Sequence, residues 1–192
     1  MIEAMLEACG ERGYRQVTVQ DVIDGCGGHR VQFYRHFANK AECYAAAYES
    51  EIERLCGALL GAARAEEDWR AGLDAALGEL ARFAAERPAL ARGLLTEVQV
   101  AGGPALAKHE EVFERLSRAV DGARREGSSN HSAPPVTASF IIAAIESAVR
   151  RALLEGEPQR FAAAVPELVG LAVVLYFGEG TTEPGEGGAK EG

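Results

Sequence analysis

TVQDVIDGCGGHRVQFYRHFANK, residues 18–40, reads as two short helices joined by a glycine turn, with a third helix opening behind them. Thr18 suits an N-cap, because its side-chain oxygen can take one of the orphan amides of a first helical turn. Val22 and Ile23 then give that helix a buried edge, and Gly25, Gly27 and Gly28 stop it. After the turn, Val31, Phe33, Tyr34 and Phe37 are expected to anchor the second helix, with Arg30, Gln32, Arg35 and His36 on its polar face. This is the layout of a helix-turn-helix, whose second helix offers side chains to the major groove.

Charge supports that reading locally. The chain has 192 residues and a net charge of −9, which taken as a whole is unsuited to a polyanion, since phosphate neutralisation requires positive charge at the contact. Residues 1–40, however, carry five Arg or Lys against five Asp or Glu, so the remainder holds the whole excess. Residues 27–40 contain three basic side chains, two histidines and no acid. An acidic body with a basic tip can meet DNA at the tip alone. With 47% hydrophobic residues, much alanine and leucine and few β-branched runs, the composition predicts an all-α protein.

Helical spacing then extends in both directions. Ile2, Met5, Leu6 and Cys9 predict a first helix over residues 2–12, closed by Gly13, with Tyr14 and Val17 entering the small core. A long helix over 39–64, capped by Asn39, carries Tyr44, Tyr48, Ile52, Leu55 and Leu59 as one stripe and belongs to both halves of the molecule. Further helices are predicted over 69–86, 89–100, 105–126, 136–155 and 166–177, the last two apolar over more than one stripe and therefore in need of partners on two sides. GSSNHSAPP at 127–135 is a loop by composition, with His131 solvated, and the tail from 179 to 192 lacks core residues and is expected to be disordered. No apolar run is expected to reach membrane-spanning length and no signal peptide opens the chain, which places the protein in the cytoplasm.

ERGY at 11–14, Thr18, the pair Val22 and Ile23, Gly27, FYRHF at 33–37 and Lys40 together resemble the N-terminal domain of the TetR family of one-component bacterial regulators. The resemblance is specific for about residues 2–48 and architectural beyond. It implies a three-helix helix-turn-helix domain over 1–48 and a C-terminal helical domain over 49–178 that binds an effector and dimerises. It also implies a homodimer that reads a near-palindromic double-stranded DNA operator and releases it when a small, largely apolar ligand enters, the change passing through the long fourth helix. Thr18, Tyr34 and Lys40 are then candidates for backbone contacts, Arg30, Gln32 and Arg35 for base edges, and His29 and His36 complete the DNA-facing set. Gly28, His29 and Val31 depart from the family pattern of valine, a hydroxyl cap and a small residue. Many relatives carry a basic arm before the first helix, whereas here Met1 is followed at once by Ile2 and Glu3.

In the C-terminal part, Glu97 and Glu146 stand among apolar neighbours and are candidates for an internal cavity, with Trp69, Phe83 and Phe113 as aromatic lining. The plainer reading keeps the aromatics as core, pairs Glu146 with Arg150 and puts Glu97 on an exposed face. Phe140, Ile141, Ile145 and Val149, with Leu171, Val174 and Leu175, are the expected dimer interface. No enzyme is expected: His109 and Glu110 fail the HExxH pattern because Phe113 stands at the second histidine position, and no phosphate loop is present. No cofactor or metal is expected either. Cys9, Cys26, Cys43 and Cys56 form no CxxC pair and read as small hydrophobes. Two other readings stay open: a thiol-based redox sensor on the same scaffold, and a helical ligand-binding protein without specific DNA affinity.

Overall fold

Apolar side chains recurring every three to four residues fold this chain into helices, and the computed structural model, which describes residues 1–126 and 133–177, contains no strand among them. α1 (Ile2–Arg12), α2 (Val19–Gly25) and α3 (Arg30–His36) close a small core around Met5, Leu6, Cys9, Val22, Ile23 and Phe33, all buried. Thr18 caps α2: its Oγ1 accepts from the Asp21 amide at 3.3 Å, while Asp21 Oδ2 accepts from the Thr18 amide at 2.7 Å. The helix ends with Gly28 N–H donating to the Ile23 carbonyl at 3.0 Å and Gly27 N–H to the Asp24 carbonyl at 3.2 Å. Gly27 sits at φ 62°, the left-handed conformation such a stop demands and a side chain would resist. This stop sets the angle at which α3 leaves.

α4 (Lys40–Arg64) runs without a break past residue 48, its N-cap Asn39 accepting from the Glu42 amide at 2.9 Å. α5 (Trp69–Glu86) starts on the Asp68 cap, and α6 (Pro88–Leu95) starts on a proline whose missing N–H costs a first turn nothing. The single helix expected over 89–100 is instead two. Thr96 turns its hydroxyl back onto the Arg92 carbonyl at 2.8 Å, α6 ends there, and the short α7 (Val98–Ala101) follows. α8 (Gly103–Glu126) and α9 (Thr137–Leu154) lie within two residues of expectation. The predicted loop at 127–132, His131 and the tail from 178 onward lie outside the described residues.

α10 (Gln159–Phe177) is the larger correction. It begins seven residues before the expected 166, with Pro166 inside the helix at the loss of one backbone bond. An 18-residue window of this 19-residue helix has a mean hydropathy of 1.6, so by length and composition it is apolar enough to cross a membrane, contrary to the expectation from the sequence. A helix buried between protein surfaces meets the same criterion. Phe161, Val165, Val169, Ala172 and Tyr176 bury one face of it within this chain, against α5 and α9.

The N-terminal unit is not carried by α4 alone. α1 crosses α6 so closely that a Cβ on Gly10 would lie 1.8 Å from the Ala89 carbonyl oxygen, and one on Gly93 would lie 1.9 Å from that of Leu6. Only glycine allows backbones this near. Tyr44 of α4 donates its hydroxyl to the Gly93 carbonyl at 2.8 Å, and Arg87 reaches Glu3 at 3.2 Å and Glu7 at 3.3 Å.

Candidate nucleic-acid interface and ligand cavity

α3 presents a shallow outward surface formed by Arg30, Val31, Tyr34 and Arg35, and His29, Gln32 and His36 are exposed beside it. The expected anchoring is corrected here. Val31 is 81% exposed and Tyr34 half exposed, because residues 30, 31, 34 and 35 share one helical face. Phe33 alone of the helix is buried, packed against Phe37 with ring centroids 5.6 Å apart. The Arg30 guanidinium lies 6.0 Å from the centre of the Tyr34 ring, which orients it on the same face. His29 stands at the N-cap without a side-chain bond to the helix, as the absence of a hydroxyl there implies. Thr18 is exposed at the head of α2.

Lys40 is engaged in a way the sequence did not suggest. Its ammonium donates to the Tyr14 carbonyl at 2.8 Å and the Val17 carbonyl at 2.9 Å, and sits 4.3 Å from the centre of the Tyr14 ring. It fastens the loop between α1 and α2 to the head of α4. Glu97 fastens the same loop from the other side. Its Oε2 accepts the Tyr14 amide at 2.7 Å, so it ties α6 and α7 to that loop and does not line a cavity. The expectation of an internal carboxylate facing a ligand is therefore overturned for Glu97.

A cavity of about 980 Å³ opens between α4, α5, α8, α9 and α10, with Leu95 of α6 at one end. Trp69, Phe113 and Glu146 line it. Phe83 does not: it is buried elsewhere in the core. Trp69 also serves the frame, donating Nε1–H to the Val120 carbonyl at 3.2 Å and meeting Tyr176 edge to face at 5.4 Å.

Within this apolar space stands a polar relay. The Tyr48 hydroxyl lies 3.0 Å from His109 Nδ1, and His109 Nε2 lies 3.3 Å from Glu146 Oε1. The hydrogen bond from His109 holds the Glu146 carboxyl below the usual carboxylate range, and the nearby Arg150 charge adds to this against the opposing effect of burial. An ionised Glu146 accepts from His109 Nε2, and in the neutral tautomer of the imidazole Nδ1 is left to accept from Tyr48. Burial pushes the Tyr48 hydroxyl up, so it stays a donor. Tyr48 and His109 were missed in the sequence, the first as part of an apolar stripe, the second as a failed metal motif. The available signal was spacing: Ala105, His109, Val112, Phe113 and Leu116 recur on one face of α8.

The expected dimer face divides in two. Ile141, Ile145 and Val149 point into this chain and are buried, the last two at the cavity wall, so they cannot meet a second subunit. Phe140 is 62% exposed, and Leu171 and Val174 are each 44% exposed, while Leu175 is partly buried. Among the thiols, Cys9 and Cys43 are fully buried, with burial raising them to about 12 and about 11 respectively. Neither supplies the thiolate that a redox sensor needs.

Residues 1–47 match the family described as bacterial regulatory proteins, tetR family. The chain is 25% identical over 156 residues to the HTH-type transcriptional activator FasR of Mycolicibacterium smegmatis, an alignment covering 77% of this chain and 68% of the relative. Two solved structures share the fold. The transcriptional regulator FadR of Bacillus subtilis, in complex with stearoyl-CoA, superposes with TM-score 0.77 at 16% identity, covering 90% of this chain and 95% of that one. SmeT, the repressor of the Stenotrophomonas maltophilia multidrug efflux pump SmeDEF, does so with TM-score 0.72 at 22% identity, covering 97% and 95%.

Proposed function

We propose that this chain, a transcriptional regulator of the TetR type by its N-terminal 47 residues and its helical frame, binds a near-palindromic operator as a homodimer and releases it when a small, largely apolar effector fills the cavity. It acts in the cytoplasm, where its operator lies. The reading assigns DNA contact to Thr18, His29, Arg30, Gln32, Tyr34, Arg35 and His36, with Lys40 holding the unit in shape. The cavity is the observation that carries the ligand-responsive part. Leu95 lines its inner end, and two residues further along the chain Glu97 holds the Tyr14 amide of the helix-turn-helix unit. A ligand that displaces Leu95 therefore pushes on a segment fastened to α1, which adds a route through α6 to the one through α4. Relatives speak for an apolar occupant, since the FadR structure holds stearoyl-CoA. They differ in sign: FasR is named an activator and SmeT a repressor. Repression is the sign proposed here, because release by a ligand needs no contact with polymerase.

Two measurements test this. Selection of binding sites from random DNA should return a palindrome, and a folded dimer with no preference over random DNA at low salt would remove the DNA-binding half. An effector that lowers operator affinity must itself bind more weakly when operator is present, by the same factor. Calorimetry giving equal effector affinity with and without operator would remove the regulatory half.

A further inference from the structure

α4 lines the cavity from Ile52 to Arg64, a length of about 18 Å at 1.5 Å per residue. The two ends differ chemically. At the outer end Arg64, Glu66, Glu67, Asp68 and Arg70 surround Trp69 at the surface, where water can solvate any polar group of a ligand. At the inner end, beside Ile52 and Leu95, stand His109 and Glu146. Between them the walls are Leu59, Leu73, Leu77 and Phe113. A simple amphiphile with its head at the mouth would bury a bare methyl group against an ionised carboxylate, which costs free energy because the carboxylate loses water and gains no partner.

The proton count at the inner end decides what would satisfy it. In the neutral-imidazole tautomer with the proton on Nε2, Tyr48 gives its one proton to His109 Nδ1. The Nε2 proton then goes to Glu146 Oε1. Glu146 Oε2 is occupied by neither bond, so the relay meets a ligand with an acceptor and no free donor. Arg150, one turn along α9, balances the carboxylate's charge without lining the cavity. The site is consequently an acceptor with little net charge, suited to a hydroxyl or an amine and unsuited to a carboxylate or a methyl group.

We infer that the effector is an elongated apolar molecule bearing a hydrogen-bond donor on its buried end, received by Glu146. This rests on the reading of the cavity as the effector site. The probes are a twelve-carbon diol, its dimethyl ether, which carries no donor at either end, and the matching amino-alcohol, with affinities measured by calorimetry on the full chain and on Glu146→Leu. Comparing ratios between the two proteins cancels the different solubilities of the probes. A hydrogen bond to a charged acceptor corresponds to about tenfold or more in affinity, so the diol-to-ether ratio should fall by about tenfold in Glu146→Leu. The amino-alcohol distinguishes the sources of the donor: a preference for it over the diol that vanishes in the variant identifies an ammonium, and the reverse order identifies a hydroxyl. If Glu146→Leu does not fold, Glu146→Gln keeps the shape while replacing the charged acceptor by a neutral amide, and the same ratio should fall, by less. An unchanged ratio in a folded variant overturns the donor inference and leaves the cavity reading intact. Failure of all three probes to bind the unaltered protein overturns both.

Discussion

Val31 is an apolar, β-branched side chain held out from the middle of a basic surface, flanked on α3 by Arg30, Tyr34 and Arg35. In a major groove the one apolar feature on a base edge is the thymine methyl group, so Val31 should select thymine at one position of each half-site. Replacing that thymine by deoxyuridine removes a methyl group worth about 0.8 kcal/mol, or roughly fourfold in affinity per half-site. Gel-shift titrations should show this loss with the unaltered protein and not with Val31→Ala; equal losses in both would remove Val31 from the reading surface. Lys40 calls for a different measurement. A phosphate-contacting lysine would flatten the salt dependence of binding when its charge is removed, but this one already donates two bonds inside the protein. Lys40→Met should lower stability to urea by about 2 kcal/mol, and a variant as stable as the parent but weak on DNA would return Lys40 to the interface.

The helices show where sequence reasoning holds and where it stops. Periodicity located α1, α4, α5, α8 and α9 closely because each buries one stripe within this chain, and Thr18 and Asn39 marked starts through side-chain oxygens that local chemistry makes identifiable. Pro166 misled because a proline is a local signal, whereas the packing of Phe161 and Val165 that extends α10 past it comes from α5 and α9, distant in the chain. Gly10 and Gly93 look like weak points in two helices, and only their mutual approach explains them. Trp69, Phe113 and Glu146 were legible as aromatics and a carboxylate in apolar company. Glu97 fitted the same pattern, yet its partner Tyr14 lies 83 residues away. That tie yields a prediction at the level of the α6–α7 junction. Glu97→Ala removes the link between the cavity's inner end and the helix-turn-helix unit, so effector affinity should stay within about twofold of the parent while its dependence on operator shrinks. Calorimetry with and without operator reads both quantities, and an undiminished coupling would send the signal back to α4 alone.

At the scale of the whole molecule, what needs explaining is the apolar surface left on α9 and α10 after the chain has packed its own core. Phe140 on one helix and Leu171 and Val174 on the other remain exposed, and α10 is apolar enough that water is a poor neighbour for its outer face. Covering such a patch with the same patch of a second copy is the common solution, and a dimer that reads successive major grooves needs its two copies of α3 about 34 Å apart or at a related spacing. The buried and exposed halves of the face first read as one interface separate the two possible failures. Ile145→Glu puts a charge into the cavity wall and should unfold the chain, whatever its oligomeric state. Val174→Glu puts the charge on the outer face and should leave helicity and cavity binding as in the parent while sedimentation shifts to the monomer. Operator affinity should then fall steeply, because one half-site retains only half the contacts and the second α3 no longer arrives with the first. A Val174→Glu protein that still sediments as a dimer and holds the palindrome would move the subunit contact away from α10, and with it the spacing of the two reading helices.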